Sequence, residues 1–334
     1  TAREIGRRQD LGGARTQRAR KRGSVVKIVR TIQELQAELQ SARAAGASSV
    51  GMVPTMGALH EGHLSLVRAA AADNDCVVVS IFVNPTQFDE SADLAAYPRQ
   101  EAQDAELAAR GGADLIFAPS VAEMYPRGHA TTVHVESTLT TVFEGSRRGS
   151  AHFDGVATVV SKLLLAAMPE RAYFGQKDAQ QLRVVQRMVA DLGIPTRIIG
   201  CSTSRDSDGL ARSSRNVRLS AEQRRRALAI PRALDVVQAA VSSGETDAAR
   251  LRALAVDALA GGSTADVGVG IDPEYVAIVD TDTFLPLDEL TGPALCAIAA
   301  RVGDVRLIDN VLLEPPNSPT SPNSPTSPIS LKES

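Results

Sequence analysis

The segment "CVVVSIFV", residues 76–83, constrains the fold more than any other part of the chain. It is a short run dominated by β-branched residues, with no polar alternation over its first four positions. Only a strand covered on both faces can hide such a run, and strands of that kind belong to parallel sheets with helices packed on each side. The flanking sequence has the matching rhythm. "TIQELQAELQSARAAG" carries Ile32, Leu35 and Leu39 at helical spacing, and "SSVGMVP" is a short apolar run that ends in a turn. A helix is predicted from about Gly62 to Ala72. Beyond the strand, "EAQDAELAARGG", "GVATVVSKLLLAAM" and "DAQQLRVVQRMVADLG" read as helices, with the last ending at Gly193, and "ADLIFAP", "RAYFG" and "TRIIGC" read as strands. Strand and helix in strict turn imply right-handed crossovers and a doubly wound α/β domain over residues 26–203. Ligands of such sheets lie at the carboxyl ends of the strands.

After "RSSRNVRLS" the rhythm changes. One long helix is predicted from about Ala221 to Ser242 and a second near Ala248–Ala260. "EYVAIVD", "ALCAIAARV" and "VRLIDNVLL" then read as antiparallel strands, the last two joined by a short turn at Gly303–Asp304. This is a smaller α+β domain over residues 204–313, and the cleft between the domains is the default ligand site. Both ends differ from this body. Residues 1–23 hold eight Lys or Arg against Glu4 and Asp10, so this arm is +6 and leaves −9 for the rest of a chain whose net charge is −3. The arm, counted as residues 1–25, reads as a basic disordered extension. Residues 314–334 contain the unit NSPTSP twice in tandem and read as a disordered Pro/Ser-rich tail.

The composition excludes several functions. Aromatic residues make up 3% of the chain and Trp is absent, so a platform for stacking nucleic-acid bases is not expected. No stretch approaches the roughly 18 apolar residues of a membrane span, and the first residues lack the apolar segment of a signal peptide. Cys76, Cys201 and Cys296 are far apart and lie in apolar runs, as expected of buried thiols in a reducing cytoplasm.

His60 and His63, in "GMVPTMGALHEGHLSLV", stand between a predicted strand and a predicted helix. At this spacing both rings face one spot above a helix N-terminus, where free backbone N–H groups attract phosphate and Gly57 and Gly62 allow close approach. A zinc pair would need histidines four apart and a third ligand nearby, and neither is present. The remaining alternative is a pair of buried core histidines. Other polar clusters stand at other strand ends. Gly175 and Lys177 follow one strand, with Asp178 placed to cap the next helix and Gln181 one turn along the same face. Asn84 and Gln87 follow another. Ser213, Ser214 and Arg215 supply hydroxyls and a guanidinium suited to phosphate oxygens.

The H-x-G-H element resembles the HIGH signature of the nucleotidyltransferases. Taken together, "VPTMGALHEGH", "IFVNPTQF", "DLAAYPR", "FGQKDAQQ" and "DGLARSSRN" resemble the pantothenate synthetase family in order and spacing, over about residues 26–313. The resemblance implies a Rossmann-like parallel sheet with a smaller C-terminal α+β lid domain, and a homodimer. It also implies an ATP-dependent ligase that joins pantoate to β-alanine through a pantoyl adenylate, with Mg2+ on the ATP phosphates and no assigned metal ligands. Carried onto this sequence, it sets ATP along Met56, Gly57, Ala58, Leu59, His60, Glu61, Gly62 and His63, with His63 as proton donor and His60 on the phosphates. Gly175, Gln176, Lys177 and Asp178 form a second ATP segment, Ser204 contacts adenine, and Arg212, Ser213, Ser214 and Arg215 close over the phosphates. Gln87 and Gln181 hold pantoate, and Asn84 lies near β-alanine. Arg212 stands where the family commonly has Met or Leu. The segment "EGSRRGSAHFDGV" differs from the family's short Arg-Pro run, and no site residue is taken from it.

Overall fold

The computed structural model describes residues 26–88, 94–95, 97–261 and 271–316. The basic arm, and the tail beyond residue 316, lie outside the described residues. The larger part is built from β1 (Lys27–Val29), α1 (Ile32–Ala44), β2 (Val50–Thr55), α2 (Glu61–Asp73), β3 (Cys76–Ile81), α3 (Glu101–Gly111), β4 (Leu115–Phe117), α4 (Val121–Met124), α5 (Glu144–Arg148), α6 (Ser150–Ala167), β5 (Arg171–Gly175), α7 (Ala179–Asp191) and β6 (Arg197–Cys201). All six strands are parallel, in the order β1-β4-β3-β2-β5-β6.

The β-branched run at residues 76–81 is β3, and the placement of its side chains explains its composition. Cys76 and Val78 enter one core, which α1, α6 and α7 cover, while Val77 and Val79 enter a second core on the opposite face under α2 and α3. Alternate residues of a strand point to opposite faces, so a strand covered twice must be apolar at both parities. Thr31 caps α1 with its hydroxyl, reciprocated by Glu34. The buried Leu35 and Leu39 of this helix match the predicted stripe.

From β2 the chain adds β3 and then β4 to one side, then returns and sets β5 on the other side of β2. The reversal makes a crevice between β2 and β5, the usual ligand position in an open α/β sheet. Sequence reinforces that crevice. Val50 turns its carbonyl toward β5, where it accepts from the Glu170 N–H, and Thr55 turns toward β3, where its carbonyl accepts from the Phe82 N–H. Pro54 therefore faces β5, and it has no N–H to give. Pairing between β2 and β5 covers only Gly51↔Arg171 and Met52↔Ala172, whereas β2 and β3 stay paired as far as Thr55↔Ile81.

The smaller part packs α8 (Ala221–Ala227), α9 (Ala229–Ser242) and α10 (Ala248–Gly261) against an antiparallel sheet of β7 (Ile271–Asp280), β8 (Ala294–Val302) and β9 (Val305–Leu313), around its own aliphatic core. The turn between β8 and β9 falls at Gly303, with φ +59°. The single helix expected over residues 221–242 is interrupted at Leu228. Pro231 is the reason: it cannot donate to the Ala227 carbonyl, and its ring crowds that carbonyl. The helix expected from Gly155 starts earlier, at Ser150.

Gly155 has a specific duty inside α6. A methyl added there would lie 2.4 Å from the Thr86 carbonyl oxygen, so glycine lets the turn after β3 rest directly on the helix. Gly155→Ala is expected to cost about 1–3 kcal/mol in urea unfolding, as overpacking of a close contact does. Gly261→Ala, where nothing lies within 4 Å of the added methyl, should cost little. Equal effects at the two positions would contradict this reading of the contact.

Candidate active site

A cavity of about 1190 Å³ opens at the carboxyl ends of β2, β3, β5 and β6, and residues of β7, β8 and β9 form its far wall. The first wall is the loop from β2 to α2. Gly57 and Ala58 both have positive φ, +85° and +51°, a local shape that costs energy at a residue with a Cβ. The buried Asp104 of α3 holds that shape by accepting the N–H of Ala58 at 2.9 Å and of Leu59 at 2.7 Å.

The loop delivers His60 to the N-cap of α2, which starts at Glu61 and carries His63 in its first turn. His60 Nδ1 accepts the Gly62 N–H at 3.1 Å, and His63 Nδ1 accepts the His60 N–H at 3.3 Å. The rings lie against each other with centroids 4.1 Å apart and planes tilted by 38°. An imidazole nitrogen that accepts carries no proton, so each neutral ring keeps its proton on Nε2. Burial pulls His63 down to about 3, with the neighbouring His60 adding to the effect. Burial also lowers His60, helped by Lys177 and Arg212. Both rings are therefore neutral N–H donors at ordinary pH, not cations. Met56, Ala58, His60, Gly62 and His63 line the cavity. Gly57, Leu59 and Glu61 of the same stretch do not: Leu59 is buried in the core and Glu61 pairs with Arg68.

The second wall is the turn Gln176–Asp178 after β5. The Asn310 Nδ2 of β9 donates to the Gln176 and Lys177 carbonyls at 3.0 and 2.9 Å, tying the turn to the smaller sheet. Gly175, Lys177, Asp178 and Gln181 line the cavity, whereas Gln176 does not. Asp178 occupies the N-cap of α7, but its side chain makes no cap bond and instead fronts the cavity, contrary to the capping role expected of it. Gln180, next to Gln181, is engaged by the backbone of Leu139, Val142 and Glu144.

Ser204, Ser213, Ser214 and Arg215 complete the polar wall. Ser213 Oγ accepts the Arg215 N–H at 3.2 Å and fixes the short turn. Burial and repulsion from Arg148 and Arg306 lower the Arg215 guanidinium from its ordinary value. Arg215 itself makes no ion pair among the described residues, so its charge faces the cavity without a carboxylate partner. Arg212 does not line the cavity. Its guanidinium donates to the Arg205 carbonyl at 3.0 Å and pairs with Asp206 at 3.3 Å, so it braces the segment from outside the cavity. Asn84 also stands off the cavity wall. It is fully buried, and its amide is engaged by Gly155, Thr86, Tyr125 and Gln87. Gln87 itself lines the cavity.

A further group was not anticipated. The buried Arg306 of β9 grips Glu144 of α5 at 2.6 and 3.0 Å and Glu274 of β7 at 2.6 Å, and the Tyr275 hydroxyl donates to Glu144 at 3.2 Å. Arg148 and His152, from the segment set aside in the sequence, also line the cavity. No motif joins residues so far apart in the chain, and only the fold brings them together. Among the described residues no group of three or more His, Cys, Asp or Glu side chains is arranged to hold a metal ion, and no helix is long and apolar enough to cross a membrane.

Comparison with known proteins agrees with this architecture. The family model for pantoate-beta-alanine ligase matches residues 27–312. A pantothenate synthetase of Moorella thermoacetica is 52% identical over 289 residues, covering 86% of this chain and 99% of that protein. The crystal structure of pantothenate synthetase from Thermus thermophilus superposes with a TM-score of 0.77 at 45% identity, over 86% of this chain and 99% of that one. A pantoate-beta-alanine ligase from Francisella tularensis, complexed with beta-gamma ATP and beta-alanine, has a TM-score of 0.66 at 33% identity, over 86% of this chain and 97% of its own. The chain belongs to the pantoate-β-alanine ligase family.

Proposed function

We propose that the protein condenses pantoate with β-alanine, using ATP, through a pantoyl adenylate, and releases AMP and pyrophosphate. The observation that carries this reading is the convergence on one cavity of the α2 N-terminus, two Nε2–H imidazoles, the Lys177 ammonium and the Arg215 guanidinium. For Lys177 and Arg215 no side-chain hydrogen bond occurs among the described residues, which leaves both available to an anion.

In this reading the triphosphate runs along Met56–His63 and across Lys177, with Ser204 near the adenine and Ser213–Arg215 over the phosphates. A pantoate carboxylate oxygen attacks the α-phosphorus and the bond to pyrophosphate breaks. Negative charge spreads over the phosphoryl oxygens and the leaving group, where fixed donors and cations stabilise it. The amine of β-alanine then attacks the acyl carbon, the bond to AMP breaks, and the amine loses a proton. Gln87 and Gln181 hold pantoate. His63 acts by hydrogen bonding from a neutral ring, in place of the proton transfer implied by resemblance, because a ring held near 3 is unprotonated at neutral pH. Mg2+ enters as part of the nucleotide substrate. The described residues include no cluster built for it. Residues 204–313 act as a lid domain beside the nucleotide domain of residues 26–203, and two copies of the chain associate as a homodimer in the cytoplasm, in keeping with three free cysteines.

Exchange of labelled pyrophosphate into ATP should require pantoate and proceed without β-alanine. Its absence in folded protein would contradict the proposal. His63→Ala should lower turnover by about 10² to 10³, as loss of one preorganised donor does, while the lost cap contact costs only about 1 kcal/mol of stability. A core-sized loss of stability with near-normal turnover would instead make His63 a packing residue. Stability should also fall as the pH drops from about 6.5 toward 3, because the unfolded chain then binds a proton at His63 that the native ring refuses. In His63→Gln that slope should flatten, and an unchanged urea-unfolding profile across this range would contradict the assignment.

A further inference from the structure

We propose that Tyr125, a residue outside the cavity wall, is a positioning residue that steadies the Asn84 amide and, through it, the Gln87 amide that faces the substrate. The inference rests on the reading of Gln87 as a pantoate contact, and it begins at an oxygen that can only accept. The Gly155 carbonyl lies 3.1 Å from one end of the buried Asn84 amide, so that end must be the NH2 group. The other end, Oδ1, meets only donors: the Tyr125 hydroxyl at 2.8 Å, the Thr86 hydroxyl at 3.0 Å and the Thr86 N–H at 3.4 Å. Asn84 has no freedom to turn over. Its Nδ2 also reaches Gln87 at 2.9 Å, and the Gln87 atom facing an NH2 group must be its oxygen. The free end of the Gln87 amide is then Nε2, in a residue whose own carbonyl is further fixed by His152 Nδ1 at 2.8 Å.

The consequence is chemical. Gln87 offers N–H donors to the cavity, so it recognises an acceptor, a carboxylate or a hydroxyl lone pair, and repels a group that can only donate. The Gly155 carbonyl sets this polarity, and the Tyr125 hydroxyl holds the relay in place through the shortest bond to the Asn84 side chain. Its ring is held separately, against Phe82 and His129 with centroids 6.2 and 5.0 Å away, and below the Lys162 ammonium. Tyr125→Phe therefore removes the relay bond and leaves the packing.

The test is a double-mutant cycle on the full chain with Tyr125→Phe, Gln87→Ala and both together, read as pantoate KM, ATP KM and kcat. Tyr125→Phe should raise the pantoate KM about five-fold, the effect of one weakened hydrogen bond, with the ATP KM and kcat little changed. In the Gln87→Ala background it should add nothing. Equal effects in both backgrounds, or a matching rise in the ATP KM, would overturn the proposal. A second readout needs no substrate. The Asn84 side-chain NH2 protons, followed by NMR in the free enzyme, should exchange about ten-fold faster in Tyr125→Phe, and unchanged rates would overturn the relay. If the wild type failed to use pantoate at all, the functional reading would fall while the amide measurement still decided the relay.

Discussion

The reciprocal cap between His60 and His63 is the constraint on which the chemistry of this protein depends. Each ring uses Nδ1 to satisfy a backbone N–H of the α2 N-terminus, and each is thereby committed to carrying its proton on Nε2. One device does two jobs. It ends a helix whose first N–H groups would otherwise lack partners, and it turns both donors outward into the cavity beside that helix's positive dipole end. Protonating either ring would remove the acceptor and break the cap. This adds to the burial that keeps the rings neutral.

The rest of the fold serves to present that pair. Parallel strands in the order β1-β4-β3-β2-β5-β6 create the switch point, and Pro54 ensures that β2 and β5 separate before their carboxyl ends. Asp104 of α3 holds two successive residues at positive φ so that the chain can turn sharply into α2. Across the cavity the smaller sheet contributes fasteners: Asn310 on the Lys177 turn, Arg205 with Asp309, and the Arg306–Glu144–Glu274 cluster. Ion pairs buried at such a seam do little for net stability, but removing one partner strands a charge, so they fix geometry strongly.

Much of this was legible in the chain. Strand β3 announced a two-sided sheet because no other structure hides "CVVVSI", and the meeting of His60, Lys177, Ser213 and Arg215 on one cavity followed from residue type and from position at strand ends. Local chemistry that depends on three-dimensional partners was not legible. Asp178 looked like a helix cap and proved to face the cavity, because a carboxylate's partner is set by the fold around it. Asn84 looked like a rim residue and is buried, because Gly155 lets its turn sink onto α6. Arg212 pairs with Asp206 and bonds to the Arg205 carbonyl, partners that its sequence neighbours gave no sign of. Glu144 and Arg306 are too far apart in sequence for any spacing rule to join them.

Nitrogen-15 NMR of the histidine side chains, followed with pH and then with a non-hydrolysable ATP analogue, tests the account most directly. It predicts that His60 and His63 appear as neutral, Nε2-protonated tautomers throughout the neutral range, with His63 resisting protonation well below pH 6, and that both Nε2–H signals shift when the nucleotide binds. Rings that titrate near 6.5, that carry their proton on Nδ1, or that ignore the nucleotide would contradict it.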